Sequence, residues 1–581
     1  MMNREKREKM WRRVSIFFLS ILTVIGFAKS IVISLDIDES YAIAQSYRMA
    51  IGDRLFVDMW EPHQLSAFLA ALFIKLYLVI AGTTNYLVIY LRIIGSILHI
   101  ATGCVFFRAL KKANCEGYSA VLVLLVHLNF LPKWVQMPEF ELMHYWTLVL
   151  IASCMIFYFH GSAQKRYPIL AGVFLVICMC CYPTMILLYP AYGAGWVILE
   201  KLRFGKKGIE TLKSIISFTI GSLGSGLGLI AYLLIYQTPG ELIENLANIF
   251  MDQSHTNYTM GEKWRAYGEQ LLDQLGEVWG YFLWGLLAAF VISLIIRLTG
   301  AMKLSMESAV IAILIFAAVA MQIQCIWEIL TQDKNLFYGQ FRYIMLTLPA
   351  LYLGARYHKT MAIWFYGLLI PAYISLPAVL FVTNMDTNVS YAKVFAGVIA
   401  ALLIYKEYAG KAVLVRCATI SAVFFLFMSL FVSRLLLIRV TGCLPLTVKA
   451  RMEKMEYGAE KGVYVLEDIA DIWNNNYQEI ESLVKPDDKL LYVGAENLIY
   501  LDTGCEIATP STHSTTVYNE MFVHYYELHP EKLPTVIVID KTFDENPVYG
   551  NYFGTDILLN WIEEHYNQAN REETDYMIVL H

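Results

Sequence analysis

Charge is scarce in this sequence. Charged residues make up 16% of its 581 residues, against roughly a quarter in ordinary soluble proteins. With 57% hydrophobic residues and a mean hydropathy of +0.50, that shortage excludes a soluble globular chain and indicates a polytopic membrane protein. Zinc-ligand spacing, a P-loop and a nucleophile elbow are also lacking, so a nucleotide-dependent reaction has no visible site. No basic stripe marks a nucleic-acid partner, and there is no internal repeat or low-complexity segment. The ten cysteines form no disulfide framework. Cys104, Cys154, Cys178, Cys180, Cys181, Cys325 and Cys417 lie in apolar segments, where packing outweighs a metal or redox reading. Cys443 and Cys505 fall in the tail and could pair there if it is extracytoplasmic. No small-residue cleavage site follows the first apolar run. Residues 14–35, interrupted only by Lys29, are long enough to span a bilayer, so the run reads as a span and not a cleaved leader.

What is there is a series of such runs. Thirteen spans are expected, at about 14–35, 86–107, 119–132, 143–159, 168–182, 183–199, 214–236, 277–296, 307–330, 341–355, 361–382, 390–405 and 412–437. Residues 65–81 are apolar enough to be another, but charge assigns them to a juxtamembrane or re-entrant segment. With a cytoplasmic N-terminus, the connecting segments on that side hold 22 Lys and Arg, and those outside hold nine. Counting 65–81 as a crossing would invert every later loop against the positive-inside rule. An odd number of spans leaves the tail, 438–581, outside. It carries 10 basic and 25 acidic residues. "KLLYVG" (489–494) and "TVIVID" (535–540) read as buried strands, 517–528 as a helix and 576–580 as a last short strand. The expectation is therefore an α-helical membrane domain, 1–437, followed by an extracytoplasmic α/β domain long enough to bury its own core.

The chemistry-bearing residues gather in the expected outer loops. The first loop, 36–85, opens on Asp36, Asp38 and Glu39. Helix capping explains acids at a span exit. This loop is long and amphipathic, however, and carries a second acidic group, Asp58 and Glu61, with Pro62 and His63. A carboxylate at the lipid–water boundary can act as a general base on a hydroxyl, and an acidic pair can hold a divalent cation. An interfacial turn anchored by Trp60 is the competing reading of 58–63. The second loop places Glu139, Glu141 and His144 at the head of a span, where capping accounts for one acid but not two. Lys29, Arg92, Lys263, Arg265 and Arg342 are cations at outer ends, with snorkelling as their default role. Lys263 and Arg265 share a long loop with His255, Trp264 and Tyr267 that suits a lipid phosphate or a sugar face.

In their order, these features resemble the GT-C superfamily of integral membrane glycosyltransferases, nearest the branch of protein O-mannosyltransferases and the lipid A aminoarabinose transferase. That branch has an Asp-Glu pair early in the first outer loop, matched by Asp38-Glu39 with Tyr41. A "G-x-x-x-Y/F-x-D" stretch and a proline turn follow, matched by Gly52 to Asp58 and Pro62. An arginine opens the next span, here Arg92. An acid heads the span after the second outer loop, here Glu141 with Glu139 as rival. A late "R-Y…P" segment corresponds to Arg342, Tyr343 and Pro349. Two positions depart from the pattern: His63 stands where a stronger base is usual, and the second loop has Glu where Asp is usual.

The resemblance implies a GT-C-like fold in the cell membrane, with the N-terminus cytoplasmic and the C-terminal domain extracytoplasmic. It implies a polyprenyl-phosphate sugar donor, a hydroxyl-bearing acceptor (glycan, lipid or protein) and inversion at the anomeric carbon. Asp38 would be the general base and Glu141 would position the acceptor. Glu39, Asp58, Glu61, Arg92, Glu139 and Tyr343 would line the substrate site. His63, Lys263, Arg265 and Arg342 would stabilise the leaving lipid phosphate. No cofactor is certain from the sequence, and a divalent cation on Asp36, Asp38 and Glu141 stays open. The competing classes are a transporter or flippase of lipid-linked glycans, whose ionisable groups would sit near mid-membrane, and a structural or sensory protein whose tail binds a partner.

Overall fold

The computed structural model describes all residues except 1–3, 162, 207–210, 250–258, 300–304, 332–340, 384–389, 411, 440–442, 446–450, 495, 514–518, 542–555 and 567–569. The chain is mostly helical up to Leu436, with a small sheet region after it. Helix α1 (Arg4–Val32) is followed by α2 (Ile37–Ile51), a 3-10 turn (Gln64–Ser66) running into α3 (Ala67–Ala81), α4 (Leu87–Lys112), α5 (Gly117–Asn129) and α6 (Phe140–Phe159). Among the described residues nine helices are long and apolar enough to cross a membrane. Eight coincide with expected spans and the ninth is Gln64–Ala81.

The other expected spans are shorter: Gly117–Asn129, Arg166–Cys181, Leu188–Phe204, Phe341–Arg356 and Phe395–Ala409. Length alone therefore does not reproduce a count of thirteen. Phe395–Ala409 is buried almost throughout, and a helix shielded by its neighbours does not need the hydrophobic length of one facing lipid. On α1 and on Met260–Leu298, by contrast, many large apolar side chains are exposed, Phe17, Phe18, Trp279 and Phe290 among them, as suits a lipid-facing surface.

Gln64–Ala81 leaves and returns to one face. Just after α1, the Ser34 amide donates to the Tyr464 carbonyl at 2.7 Å; at the start of α4, the Val88 amide donates to the Ala459 carbonyl at 3.1 Å. Tyr464 and Ala459 are near neighbours in the tail, closer together than a bilayer of about 30 Å is thick. The chain between them is a hairpin of α2 against α3 lying under the tail. The opposite ends of the bundle meet elsewhere, where Ser15 Oγ and Tyr118 OH are 3.2 Å apart.

The tail sheet has the spatial order Glu506–Ile507, Lys489–Val493, Val536–Asp540, Met577–Leu580, Arg571–Glu573. The first three strands are parallel, Met577–Leu580 runs antiparallel to them, and Arg571–Glu573 is antiparallel to Met577–Leu580 and so points the same way as the first three. Period-two alternation divides its side chains between two cores. Leu490, Tyr492, Val536 and Val538 pack with Ile43, Tyr47, Ile74 and Leu87 of the hairpin and α4. Leu491, Val493 and Ile537 face the other way, onto Leu55, Phe56, Met59 and Trp60 with Phe522 and Trp561. The tail thus does not bury its core alone, as its length led one to expect. It shares both cores with residues 36–89. Cys505 is a free thiol, and the side chain of Cys443 lies outside the described residues.

Candidate functional site

At the head of α2 the Asp36 side chain accepts the Asp38 amide at 3.0 Å, the N-cap geometry. Asp38 and Glu39 occupy the first turn, where the helix dipole favours acids. The helix ends at Gly52, whose φ of 121° suits glycine. The neighbours then separate. The Glu39 carboxylate is clamped by Arg92, whose Nε and Nη2 donate at 2.7 and 2.6 Å. Arg92 also donates to the carbonyls of Ile31 and Ser34. This buried fork ties α1, α2 and α4 together, which gives Glu39 and Arg92 a scaffold role.

Asp38 points to another cluster. The second loop makes a tight turn at Pro132–Trp134, in which Lys133 and Trp134 take left-handed φ values of 48° and 59°. It brings the Lys133 ammonium to 3.1 Å from Asp38 Oδ2 and 3.8 Å from Glu141 Oε1. On its far side Glu141 pairs with Lys393. Tyr182 OH donates to Glu141 Oε1 at 2.7 Å, and Lys393 donates to Tyr182 at 2.9 Å. Two carboxylates and two ammoniums therefore alternate. The side chains of Glu141, Lys133 and Lys393 are 7% exposed or less, while Asp38 is 34% exposed, so Asp38 is the carboxylate open to a ligand. Phe140 forms the floor, with Lys133 5.3 Å from its ring centre and His63 stacked on it at 4.1 Å.

The two acids of the second loop occupy different places. Glu139 is the N-cap of α6, accepting the amides of Glu141 and Leu142 at 2.7 Å each. Burial pushes its carboxyl up to about 8. Glu141, one turn in, faces the lysines.

Several expected binding residues do other work. His63, with φ 63°, donates from Nδ1 to the Cys181 carbonyl at 2.8 Å. Burial, reinforced by the ammoniums of Lys133 and Lys393, pushes its imidazole down to about 4, so at neutral pH it is an uncharged spacer and not a phosphate-binding cation. Asp58 is held by Arg54 through three hydrogen bonds and lies 3.6 Å from Lys532 of the tail. Against the desolvation that would raise it, Arg54 keeps its carboxyl below the ordinary range. Glu61 is buried and accepts the Thr512 amide at 2.8 Å, which fastens the tail to the turn. The expected loop at 237–277 is helical from Met260 on, because Thr259 caps a continuous 39-residue helix. Arg265 is exposed and pairs along that helix with Glu269 at 2.9 Å. Lys263 is buried on the same helix, and neither joins the Asp38 cluster. His255 lies outside the described residues.

Arg342 and Tyr343 line a small neighbouring hollow with Asn129, Phe130, Trp134 and Arg434. The guanidinium of Arg342 stands 4.8 Å from the Tyr343 ring centre. A second small hollow shares Trp134 and Arg434 and adds Lys29, Asp36, Glu39 and Arg92. Trp134 is next in sequence to Lys133, so one turn separates these basic hollows from the Asp38 cluster.

The arrangement does not fit a divalent cation. The place between Asp38 and Glu141 is filled by the Lys133 ammonium. Asp36 is turned back onto its own helix. Among the described residues no three His, Cys, Asp or Glu side chains converge as a ligand set. Lys133, Lys393 and Tyr182 were not among the residues expected from sequence. Lys133 hid between Pro132 and Trp134 as an ordinary loop lysine. Lys393 was absorbed into an apolar run, although a lysine there is itself a functional signal.

No protein-family model and no curated protein matches this sequence. Among solved structures, the chain is similar to the Archaeoglobus fulgidus oligosaccharyltransferase crystallised with zinc and sulfate, at 12% identity and a TM-score of 0.41, over 90% of this chain and 68% of the other. It is also similar to the archaeal oligosaccharyltransferase AglB from Archaeoglobus fulgidus in complex with an inhibitory peptide and a dolichol-phosphate, at 11% identity and a TM-score of 0.36, over 96% and 72% of the two chains. Superpositions this loose assign the chain neither a fold family nor an activity.

Proposed function

We propose that this protein is an inverting glycosyltransferase that moves a sugar from a polyprenyl-phosphate donor to a hydroxyl acceptor at the extracytoplasmic face of a membrane. The observation that carries the proposal is Asp38: a part-exposed carboxylate at the tail-side mouth of a helical bundle, held 3.1 Å from Lys133 and backed by the buried Glu141–Tyr182–Lys393 set.

Asp38 takes the proton of the acceptor hydroxyl as that oxygen forms its bond to the anomeric carbon. On the opposite face of the sugar the bond from the anomeric carbon to the phosphate oxygen breaks, and its electron pair stays on the lipid phosphate. The configuration inverts. Glu141, pinned by Lys393 and Tyr182, orients the acceptor side, where Lys133 also holds Asp38 in place, and Arg342 in the neighbouring hollow offsets the charge building on the phosphate. The donor is lipid-borne in this reading because activated nucleotides are absent outside the cell, and the basic hollows beside the Asp38 cluster suit its phosphate.

The experiment is transfer of a labelled sugar from synthetic polyprenyl-phosphate donors by the purified full-length protein. Asp38→Asn should cut product formation by roughly 10²- to 10⁴-fold while the protein remains folded. A flippase would instead move donor across a vesicle without forming a glycosidic bond, and would leave labelled acceptor undetected.

A further inference from the structure

We infer that Lys133 is a built-in cation that does the electrostatic work a divalent metal would otherwise do between Asp38 and Glu141, so that the site works without metal. The ammonium lies 3.1 Å from one carboxylate and 3.8 Å from the other. It is 7% exposed and Glu141 is 5% exposed, a burial at which an unpaired carboxylate is costly. Lys393 neutralises the second oxygen of Glu141. Each carboxylate charge therefore already has an ammonium, and a divalent ion entering between them would meet two positive charges.

The backbone supports the assignment. Lys133 and Trp134 hold left-handed φ values that non-glycine residues adopt at an energetic cost. Strain of this kind persists where the surroundings require one placement of a side chain. Pro132 opens the turn, and the Lys133 ammonium stands 5.3 Å from the ring centre of Phe140, which carries His63 stacked on it. The lysine is a positioned group on a rigid turn and not a surface residue that folded inward.

For the reaction, the inference rests on the glycosyl-transfer reading of the same site. As the acceptor oxygen bonds to the anomeric carbon and its proton passes to Asp38, the Lys133 ammonium holds that carboxylate on the acceptor side, while the electron pair of the breaking bond stays on the phosphate oxygen at the opposite face. No proton leaves Lys133, and no metal enters the balance.

The test separates the two readings by using a metal-binding readout that needs no turnover. Full-length protein in detergent is titrated with Mn²⁺ and the free ion is followed by electron paramagnetic resonance. Wild type should show no saturable Mn²⁺ site that depends on Asp38. Lys133→Met keeps an unbranched apolar side chain at this position but removes the charge. It should gain one saturable site, at least about tenfold tighter than any residual binding in wild type, and Asp38→Asn in the same chain should remove it. Lys133→Arg should remain without a site, which confirms charge and not length as the cause.

In the transfer assay, wild type and Lys133→Arg should be indifferent to EDTA. Lys133→Met should lose about 100-fold in kcat, with part of the loss restored by Mn²⁺. A tight Asp38-dependent Mn²⁺ site in wild type, wild-type transfer abolished by EDTA, or a Lys133→Met protein that melts like wild type yet gains no site would each overturn the inference. If the Mn²⁺ pattern holds but no sugar is transferred, the inference about Lys133 stands and the proposed activity falls.

Discussion

Lys133 and Asp38 are 95 residues apart in sequence, and their charged groups lie 3.1 Å apart. The contact joins the head of α2 to the turn before α6, the two outer loops that sequence marked separately. It also distinguishes Asp38 from the acids on either side, since Asp36 caps the helix and Glu39 is locked to Arg92.

That distinction is measurable. Asp38→Asn should cost roughly 10²- to 10⁴-fold in kcat, the range for loss of a general base, with little change in thermal stability because the side chain is part-exposed. Asp36→Ala should do the reverse. It removes a helix cap worth about 1 kcal/mol and lowers the melting temperature while leaving most of the turnover. Equal losses of activity in the two variants, at matched folding, would contradict the assignment of Asp38 as base.

The Glu39–Arg92 fork should behave as a buried pair. Arg92→Met leaves Glu39 ionised and unpaired at 4% side-chain exposure, at a cost of roughly 3–5 kcal/mol. The double variant Arg92→Met with Glu39→Met should recover much of that loss, because it removes both charges. Thermal unfolding of the single and double variants gives the coupling. Additive losses would show that the pair is not what holds α1, α2 and α4 together.

A third variant tests how the second loop is seated. A Cβ built on Gly95 of α4 would run into the carbonyl oxygen of Gln136 and crowd the Met137 backbone at 2.8 Å. Gly95→Ala should therefore push the 132–139 loop away from α4, at about 1–3 kcal/mol, and carry Lys133 off Asp38. Transfer should fall by more than the stability loss explains, whereas Gly224→Ala, where nothing lies within 4 Å, should be silent in both measurements.

The parts of the fold that sequence reveals are those with local periodicity. The long apolar helices and the strands at 489–493 and 536–540 follow from hydrophobic runs of the right length. The same local view located Asp38 and Glu141 by their places at helix heads. It could not reveal that the tail shares its cores with residues 36–89, because both surfaces read as ordinary apolar faces until they meet. Nor could it show that His63 is uncharged, which depends on Phe140 and Cys181 closing around it. Lys393 escaped for the same reason. Its partners Glu141 and Tyr182 come from two distant helices, and charge patterning along one segment carries no sign of them.

The interface between tail and hairpin should weaken as pH rises. Asp502 lies on the side of the tail that meets residues 82–88, accepting the Ala459 amide at 3.1 Å and the Thr84 hydroxyl. Burial raises its carboxyl to about 6. Nearby Glu460, which accepts Tyr477 OH at 2.7 Å, is raised by burial and by Asp502 to about 8. A raised carboxyl means that the folded state binds more protons than the unfolded chain. The stability it contributes is full below about pH 4, the unfolded range, and is lost as pH climbs through about 6 for Asp502 and about 8 for Glu460. At roughly 1.4 kcal/mol per pH unit, Asp502 alone accounts for roughly 3 kcal/mol. Hydrogen exchange in residues 451–513 should therefore accelerate between pH 5 and pH 8, beyond the intrinsic pH dependence of exchange. Asp502→Asn should flatten the lower part of that profile and Glu460→Gln the upper part, because each amide mimics the protonated acid. Since Thr84 and Val88 both bond to this part of the tail, the loosening should extend to residues 82–88. A tail that tightens with rising pH, or a profile unchanged in both variants, would mean that these carboxyls do not couple the tail to the membrane domain.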